Sequence, residues 1–291
     1  MTIDPPKLFI FGMGYSSLCF IELYGHLFSE IAGTVRSVEK AQQLQRFGIR
    51  ALSFDDPMVS TELADAGVVL SSIPPLEGHD PVLEQFGSEM AQLKQGHWFG
   101  YLSTTGVYGD RDGEWTDEET EISPVSAHSK DRAQIEQLWL DWGAKHHKAV
   151  HIFRLTGIYG PGRNPLENLL RGRAQNIIKE GQVFNRIHVE DICGTLMASI
   201  KRPNAGRIYN VSDDEPAPMQ DVIRYAAELM DVNAPAEVPF DKAELSPMGR
   251  SFYSENKRIC NKRIKEELGV ELRYPTYRDG LKAMWDVMSE K

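Results

Sequence analysis

Apolar positions in this chain fall into short runs separated by stretches of helical spacing. Leu8 to Phe11 are four consecutive apolar residues, too few for a helix and suited to a buried parallel strand. A helical pattern begins near Tyr15 and places Leu18, Ile21 and Gly25 on one face. A second strand ends at Thr34 and Val35, and Ser37 is positioned to cap a helix that Gly48 closes. Ile49 to Phe54 and Gly67 to Leu70 read as the third and fourth strands, and Pro74 and Pro75 then interrupt the chain. Val82, Leu83, Phe86, Met90 and Leu93 keep helical spacing and lead to a fifth strand, Trp98 to Leu102. Further on, Val189, Ile192, Cys193, Leu196, Met197 and Ile200 form one buried helical face. Pro218 to Met230 and Gly280 to Met288 read as the last helices.

Strands alternating with helices predict an α/β chain with a Rossmann-type doubly wound parallel sheet and a smaller C-terminal substrate lobe. The expected division is 1–160 plus 183–212 for the sheet domain and 161–182 plus 213–291 for the lobe.

Composition narrows the function classes. The chain has 291 residues, with 32 Lys plus Arg against 42 Asp plus Glu, a net charge of −10 that disfavours nucleic acid and membrane surfaces as partners. The N-terminus, MTIDPPK, reads as lacking an apolar leader, which points to a cytoplasmic protein with no membrane association. Cys19, Cys193 and Cys260 are sparse and lack metal-ligand spacing, so buried thiols are expected and no metal site.

The first candidate for chemistry follows the first strand. Gly12 permits a tight turn, Gly14 removes a side chain from the path of a phosphate, and Ser17 takes the third small position of GxGxxG. A helix opening at Tyr15, Ser16 and Ser17 would offer amide donors and partial positive charge to a pyrophosphate. Ser71 and Ser72 after the fourth strand, and Ser103 after the fifth, are further candidate cofactor contacts. At the end of the second strand an acid would grip the adenosine ribose, but this chain has Arg36 and Ser37, with Lys40 one turn later. That substitution favours NADP, with NAD as the alternative.

YLSTTGVYGD, Tyr101 to Asp110, runs off the fifth strand at the edge where open α/β sheets bind ligands. Here the chain resembles the extended short-chain dehydrogenase/reductase family, of the NAD(P)-dependent epimerase/dehydratase type. The resemblance continues through FRLTGIYGPG (153–162), RIHVEDI (186–192) and RIYNVSDDEP (207–216). It implies that Thr104 stands at the catalytic Ser/Thr, that the substrate is a small molecule, and that the protein pairs as a homodimer.

One departure stands out. The family's YxxxK uses tyrosine for proton exchange and lysine to lower its pKa, and this chain has no such tyrosine. One frame of SAHSK puts Ser126 and Lys130 in those places; a second, two residues on, puts His128 and Arg132 there. An apolar seam of Ile135, Leu138, Trp139 and Trp142, stepped back by helical turns, favours the second frame, with Glu136 one turn after Arg132. Chemistry agrees, because imidazole exchanges protons near neutral pH and a lone serine hydroxyl does not.

Residues 156–187 carry Arg163, Arg171, Arg173, Lys179 and Arg186 against two glutamates, a basic stretch in an acidic chain. By the resemblance this region faces substrate, so Tyr108, Arg163, Asn164, Arg186 and His188 are candidate substrate contacts and the substrate is expected to be anionic or nucleotide-sugar-like. A satisfied structural histidine is the better reading of His188. The acids Glu114, Asp117, Glu118, Glu119 and Glu121 read as a solvated rim. Two functions fit: an NADP-dependent oxidoreductase, or an NADP-binding sensor without turnover.

Overall fold

The computed structural model describes residues 5–290. Residues 1–4, part of the stretch read as lacking a leader, lie outside that range. The first half runs β1 (Lys7–Phe11), α1 (Tyr15–Tyr24), β2 (Ile31–Val35), α2 (Val38–Gln45), β3 (Arg50–Ser53), α3 (Met58–Leu63), β4 (Ala66–Ser71), α4 (Pro81–Gln92) and β5 (Trp98–Thr104). It continues with β6 (Trp115–Thr116), α5 (Ala127–His146), β7 (Val150–Leu155), β8 (Gly157–Tyr159), α6 (Pro165–Leu170), β9 (Asn176–Ile178), β10 (Arg186–His188), α7 (Val189–Lys201) and β11 (Arg207–Val211). The chain ends with α8 (Met219–Leu229), β12 (Glu237–Pro239), α9 (Pro247–Phe252), β13 (Arg258–Ile259), α10 (Lys262–Leu268) and α11 (Tyr277–Ser289).

The central sheet has seven strands in the order β11-β7-β5-β4-β1-β2-β3, the Rossmann-type arrangement. β1 pairs in parallel with β2 on one side and β4 on the other, so the winding direction reverses at β1. Ligands in such sheets bind at that reversal, beyond the C-terminal ends of the strands. Five of the seven strands are visible as apolar runs; β7 and β11 are not, because their buried polar residues break the pattern.

His151 of β7 stacks on Trp98 at 5.5 Å, and its Nε2 accepts the Asn204 amide at 2.9 Å. Nδ1, left to carry the proton, faces the Phe99 carbonyl at 3.3 Å. Burial pushes this imidazole down to about 4, so it is a neutral core residue.

Two compact units divide the chain. The first comprises 1–104, 127–154 and 193–209. Its core joins Phe9, Phe11, Val69, Phe86, Met90, Tyr101, Ile135 and Trp139 between one sheet face and the helices that cover it. Leu138, expected in the α5 seam, is 42% exposed, so the buried stripe of that helix is narrower than its apolar content suggests.

The second unit comprises 105–126, 155–192 and 210–291. It holds three two-stranded parallel ladders, β8–β10, β9–β12 and β6–β13. Tyr159, Leu166, Val222, Tyr277 and Leu281 anchor its main core. The assignment of 105–126 differs from the expected boundary, because Trp115–Thr116 pairs with Arg258–Ile259. No helix among the described residues is long and apolar enough to cross a membrane.

Candidate nucleotide-binding and catalytic site

Gly12 turns the chain after β1 at φ +86°, where a side chain costs about 1–2 kcal/mol. A Cβ there would also stand 3.0 Å from Ser72 Oγ. Thr34 ties the turn to β2: the Gly12 amide donates to its Oγ1 at 3.0 Å and the Met13 amide to its carbonyl at 2.8 Å. The Gly14 amide closes on the Gly12 carbonyl at 2.8 Å, and the Ser17 and Ser72 hydroxyls donate to the same oxygen at 3.1 and 2.5 Å. The Gly12 amide is therefore spent inside the turn. What remains for a diphosphate is the start of α1, which rests on Gly14 without a side-chain cap. Gly14 is exposed, and a Cβ on it would meet nothing closer than 4.0 Å, so the space before the helix is open. Tyr15 is half-buried, and Ser16 is buried with its carbonyl 3.8 Å from Cys193 Sγ.

The end of β2 carries positive charge. Arg36 is exposed, Ser37 caps α2 by accepting the Lys40 amide at 3.2 Å, and Lys40 Nζ donates to the Met13 carbonyl at 2.6 Å. The second cation is thus pinned against the glycine turn. Among the described residues neither Arg36 nor Lys40 is ion-paired with a carboxylate. A Gly-turn, an uncapped helix start and two cations without a carboxylate partner make this edge of the sheet suited to an anionic ligand.

At the end of β5, Thr104 is half-buried while Ser103 is buried and committed: its hydroxyl donates to Glu136 Oε1 at 2.5 Å. Glu136 also accepts three bonds from Arg154 at 3.2, 3.1 and 2.7 Å, with both side chains 4% exposed. Ser103 is therefore part of a buried lock between β5, α5 and β7. Sequence inspection named Glu136 but not its Arg154 partner, because the ion pair joins residues that only the fold brings together. Ser71 is fully buried, and its hydroxyl has no hydrogen-bond partner among the described residues.

The two frames part company on α5. Lys130 is exposed, whereas Arg132 is half-buried and donates through Nη1 to the Tyr101 hydroxyl at 3.0 Å and the Leu102 carbonyl at 2.6 Å. His128 lies one turn before it on the exposed side, and partial burial with the Arg132 charge lowers its pKa below the usual imidazole value. Ser126 precedes the helix and is half-buried.

Most candidate substrate contacts in the second unit are structural. Tyr108 is fully buried and donates to Asn210 Oδ1 at 2.8 Å. Asn164 caps α6, accepting the Glu167 amide at 3.0 Å and donating to Gly160 at 2.9 Å. Arg186 is buried and donates to the carbonyls of Phe184 at 2.9 Å and Ala217 at 3.0 Å; nearby, burial lifts Asp213 to about 8 against the pull of Arg186. His188 is 1% exposed between the rings of Tyr159 and Tyr274, and burial takes it down to about 4. Arg163 alone of this set is exposed. The expected acidic rim needs one correction: the Glu118 side chain is 3% exposed, its carboxylate accepts the Asn210 amide at 2.8 Å, and burial raises its pKa. Among the described residues no group of His, Cys, Asp or Glu could hold a metal ion.

The sheet order and the glycine turn define a Rossmann-type α/β protein, and comparison with known proteins narrows the class. Residues 88–212 match the NAD dependent epimerase/dehydratase family. Over that span the chain is similar to epimerase/dehydratase-type short-chain dehydrogenases/reductases. A functionally unknown conserved protein from Silicibacter pomeroyi is 46% identical over 97% of this chain and 99% of its own, with a TM-score of 0.88. Protein YeeZ of Escherichia coli K12 is 30% identical over 178 residues, a match that spans 60% of this chain and 58% of YeeZ. UDP-glucuronic acid 4-epimerase from Bacillus cereus, solved with UDP-glucuronic acid and NAD, shares the fold at a TM-score of 0.76 and 18% identity, over 98% of this chain and 99% of its own.

Proposed function

We propose that the protein is an NADP-dependent oxidoreductase acting on a small anionic or nucleotide-sugar-like carbonyl or hydroxyl substrate. The observation that carries this reading is the pairing of the open glycine turn with Arg36 and Lys40 where an acid would select NAD. That the Bacillus cereus epimerase is solved with NAD and a nucleotide sugar supports the cofactor class and the substrate type. The α1 N-terminus would receive the diphosphate, and Arg36 and Lys40 the 2′-phosphate. When bound, the dinucleotide supplies hydride chemistry. Thr104 would polarise the substrate oxygen through its hydroxyl. His128, whose charged form is disfavoured by partial burial and the Arg132 charge, would take or return the proton. Arg132 stands in for the family's lysine.

Titration calorimetry with NADP and NAD tests the reading. Wild type should bind NADP more tightly, and Arg36→Ala combined with Lys40→Ala should weaken NADP by roughly 10–100-fold while leaving NAD within about 3-fold, the value of a lost charged hydrogen bond. Equal affinities in the wild type, or no binding of either, overturn it. The absent tyrosine favours a second reading, an NADP-binding sensor, for which saturable binding without NADPH consumption over a broad carbonyl panel would decide.

A further inference from the structure

We infer that Tyr101 is a positioning residue: its hydroxyl holds the Arg132 guanidinium against the carboxyl end of β5 with the positive charge uncancelled, on the side of the sheet that would receive the nicotinamide ribose. The inference rests on the NADP reading above and assigns neither residue a contact with substrate.

Tyr101 lies in β5, one turn of chain before Thr104, and is fully buried. Its hydroxyl accepts from Arg132 Nη1 at 3.0 Å, and the same nitrogen donates to the Leu102 carbonyl at 2.6 Å. Two acceptors on one strand therefore use both Nη1 hydrogens. The guanidinium carbon stands 5.5 Å from the centre of the Tyr101 ring, close enough for the ring face to attract the cation as well. The ring is braced from behind. It stacks on Trp139 at 5.8 Å, and the Trp139 indole donates to Asp80 Oδ2 at 3.0 Å. Asp80 is anchored at the start of α4, where its Oδ1 accepts the Leu83 amide at 2.8 Å. Strand β5 and helices α4 and α5 thus meet behind one phenol.

The kind of partner matters as much as the contact. A carboxylate holds an arginine and cancels its charge, as Glu136 does for Arg154 with both side chains 4% exposed. A phenol holds it and leaves the charge. Burial pushes the Tyr101 hydroxyl above the ordinary phenol range, so it accepts the bond while staying neutral. The acids within reach are committed elsewhere, Glu136 to Arg154 and Ser103, and Asp80 to Leu83 and Trp139. Among the described residues no carboxylate pairs with Arg132, which is half-buried. A partly desolvated cation without a counter-ion costs stability, so a position that fixes one and leaves it unpaired serves a ligand better than it serves the core.

Strand order places that charge. In the run β5-β4-β1-β2, Arg132 stands on the β5 side of the glycine turn, and Arg36 and Lys40 stand on the β2 side. A dinucleotide crosses such a sheet at the reversal, so one whose 2′-phosphate meets Arg36 and Lys40 extends its second ribose toward β4 and β5. Guanidinium N–H groups are donors suited to the hydroxyls of that ribose.

Two ligands separate the halves of the cofactor: NADPH, followed by its fluorescence, and adenosine 2′,5′-bisphosphate, which lacks the nicotinamide ribose, followed by calorimetry on the full chain. Tyr101→Phe should weaken NADPH about 3–10-fold and leave the bisphosphate within about 2-fold. Arg132→Gln should weaken NADPH at least about 10-fold with the same selectivity, and Tyr101→Phe added to it should cost no more than about a further 2-fold, because both act through one group. Trp142→Phe loosens the same α4–α5 layer by removing the indole bond to the Gly87 carbonyl, and should alter neither ligand. Wild-type NADPH affinity in Tyr101→Phe overturns the inference. Loss of both ligands in step overturns it too, since that is what general loosening of the fold produces, as do additive losses in the double variant. The holding is also read without nucleotide, by NMR of protein carrying isotope-labelled arginine. The Arg132 Nη signals, identified by their absence in Arg132→Gln, should be resolved in the wild type and merged by rotation in Tyr101→Phe. Merged signals in the wild type, or signals indifferent to Tyr101→Phe, overturn the inference whatever the nucleotides do. Binding of NADH in place of NADPH sinks the 2′-phosphate reading alone, because NADH against adenosine diphosphate then makes the same comparison. A wild type that binds neither nucleotide sinks the NADP reading and this inference with it, an outcome distinct from NADPH binding that ignores Tyr101→Phe.

Discussion

Glu136→Gln should be the most damaging conservative substitution in the first unit. The carboxylate accepts from Ser103 at 2.5 Å and from Arg154 at 3.2, 3.1 and 2.7 Å, with both charged side chains 4% exposed. The amide presents one acceptor oxygen and an NH2 that faces a donor, so it leaves Arg154 charged and poorly paired. Breaking one partner of a buried pair costs about 3–5 kcal/mol, and the pair here joins β5, α5 and β7. At about 2–3 °C per kcal/mol for a chain of this size, the melting point should fall by roughly 6–15 °C. Replacing both partners by apolar residues of similar size, Glu136→Leu with Arg154→Met, should recover most of the loss, because no buried charge is left. Urea unfolding followed by near-ultraviolet dichroism measures both. A single substitution costing under about 1 kcal/mol, or a double variant no better than the single, would refute the claim that desolvated charge is what this site manages.

Other consequences are as specific. Gly12→Ala, at φ +86° and 3.0 Å from Ser72 Oγ, should lower stability by about 1–3 kcal/mol and abolish nucleotide binding, as read by thermal shift. Tyr108→Phe should cost about 1–3 kcal/mol by leaving Asn210 Oδ1 unsatisfied, yet leave nucleotide affinity unchanged in titration calorimetry. His151 has a folded pKa of about 4 against an unfolded value near 6.5, so the unfolded chain takes the proton first and stability is lost as pH falls between them. The stability advantage of wild type over His151→Gln should therefore shrink by about 2 kcal/mol between pH 7.5 and pH 5 in urea unfolding, and a constant difference would show that the ring is not held neutral.

The sequence by itself determined the first strand, turn and helix and the alternating α/β class, since four apolar residues followed by Gly12 and Gly14 leave few alternatives there. It also determined the charge at the end of β2, because Arg36 and Lys40 need only local spacing to be placed. Helical phase placed Arg132 on a more buried side of α5 than Lys130, as burial on a helix follows from period alone. Tertiary structure decided what periodicity cannot encode: which polar residues are spent on the protein itself. Tyr108, Arg186 and His188 carry motif positions but are held by partners from distant segments, and Asn164 is spent on capping its own helix. Thr34 takes the Gly12 amide, a tie between β1 and β2 that no local pattern shows. β7 was hidden because His151 and Arg154 interrupt its apolar run, and only Trp98, Phe99 and Glu136, brought in by folding, make those residues affordable inside. Hydrogen-bond satisfaction is a long-range property, whereas strand and helix are local ones, and the candidate chemistry of this protein lies where the two meet.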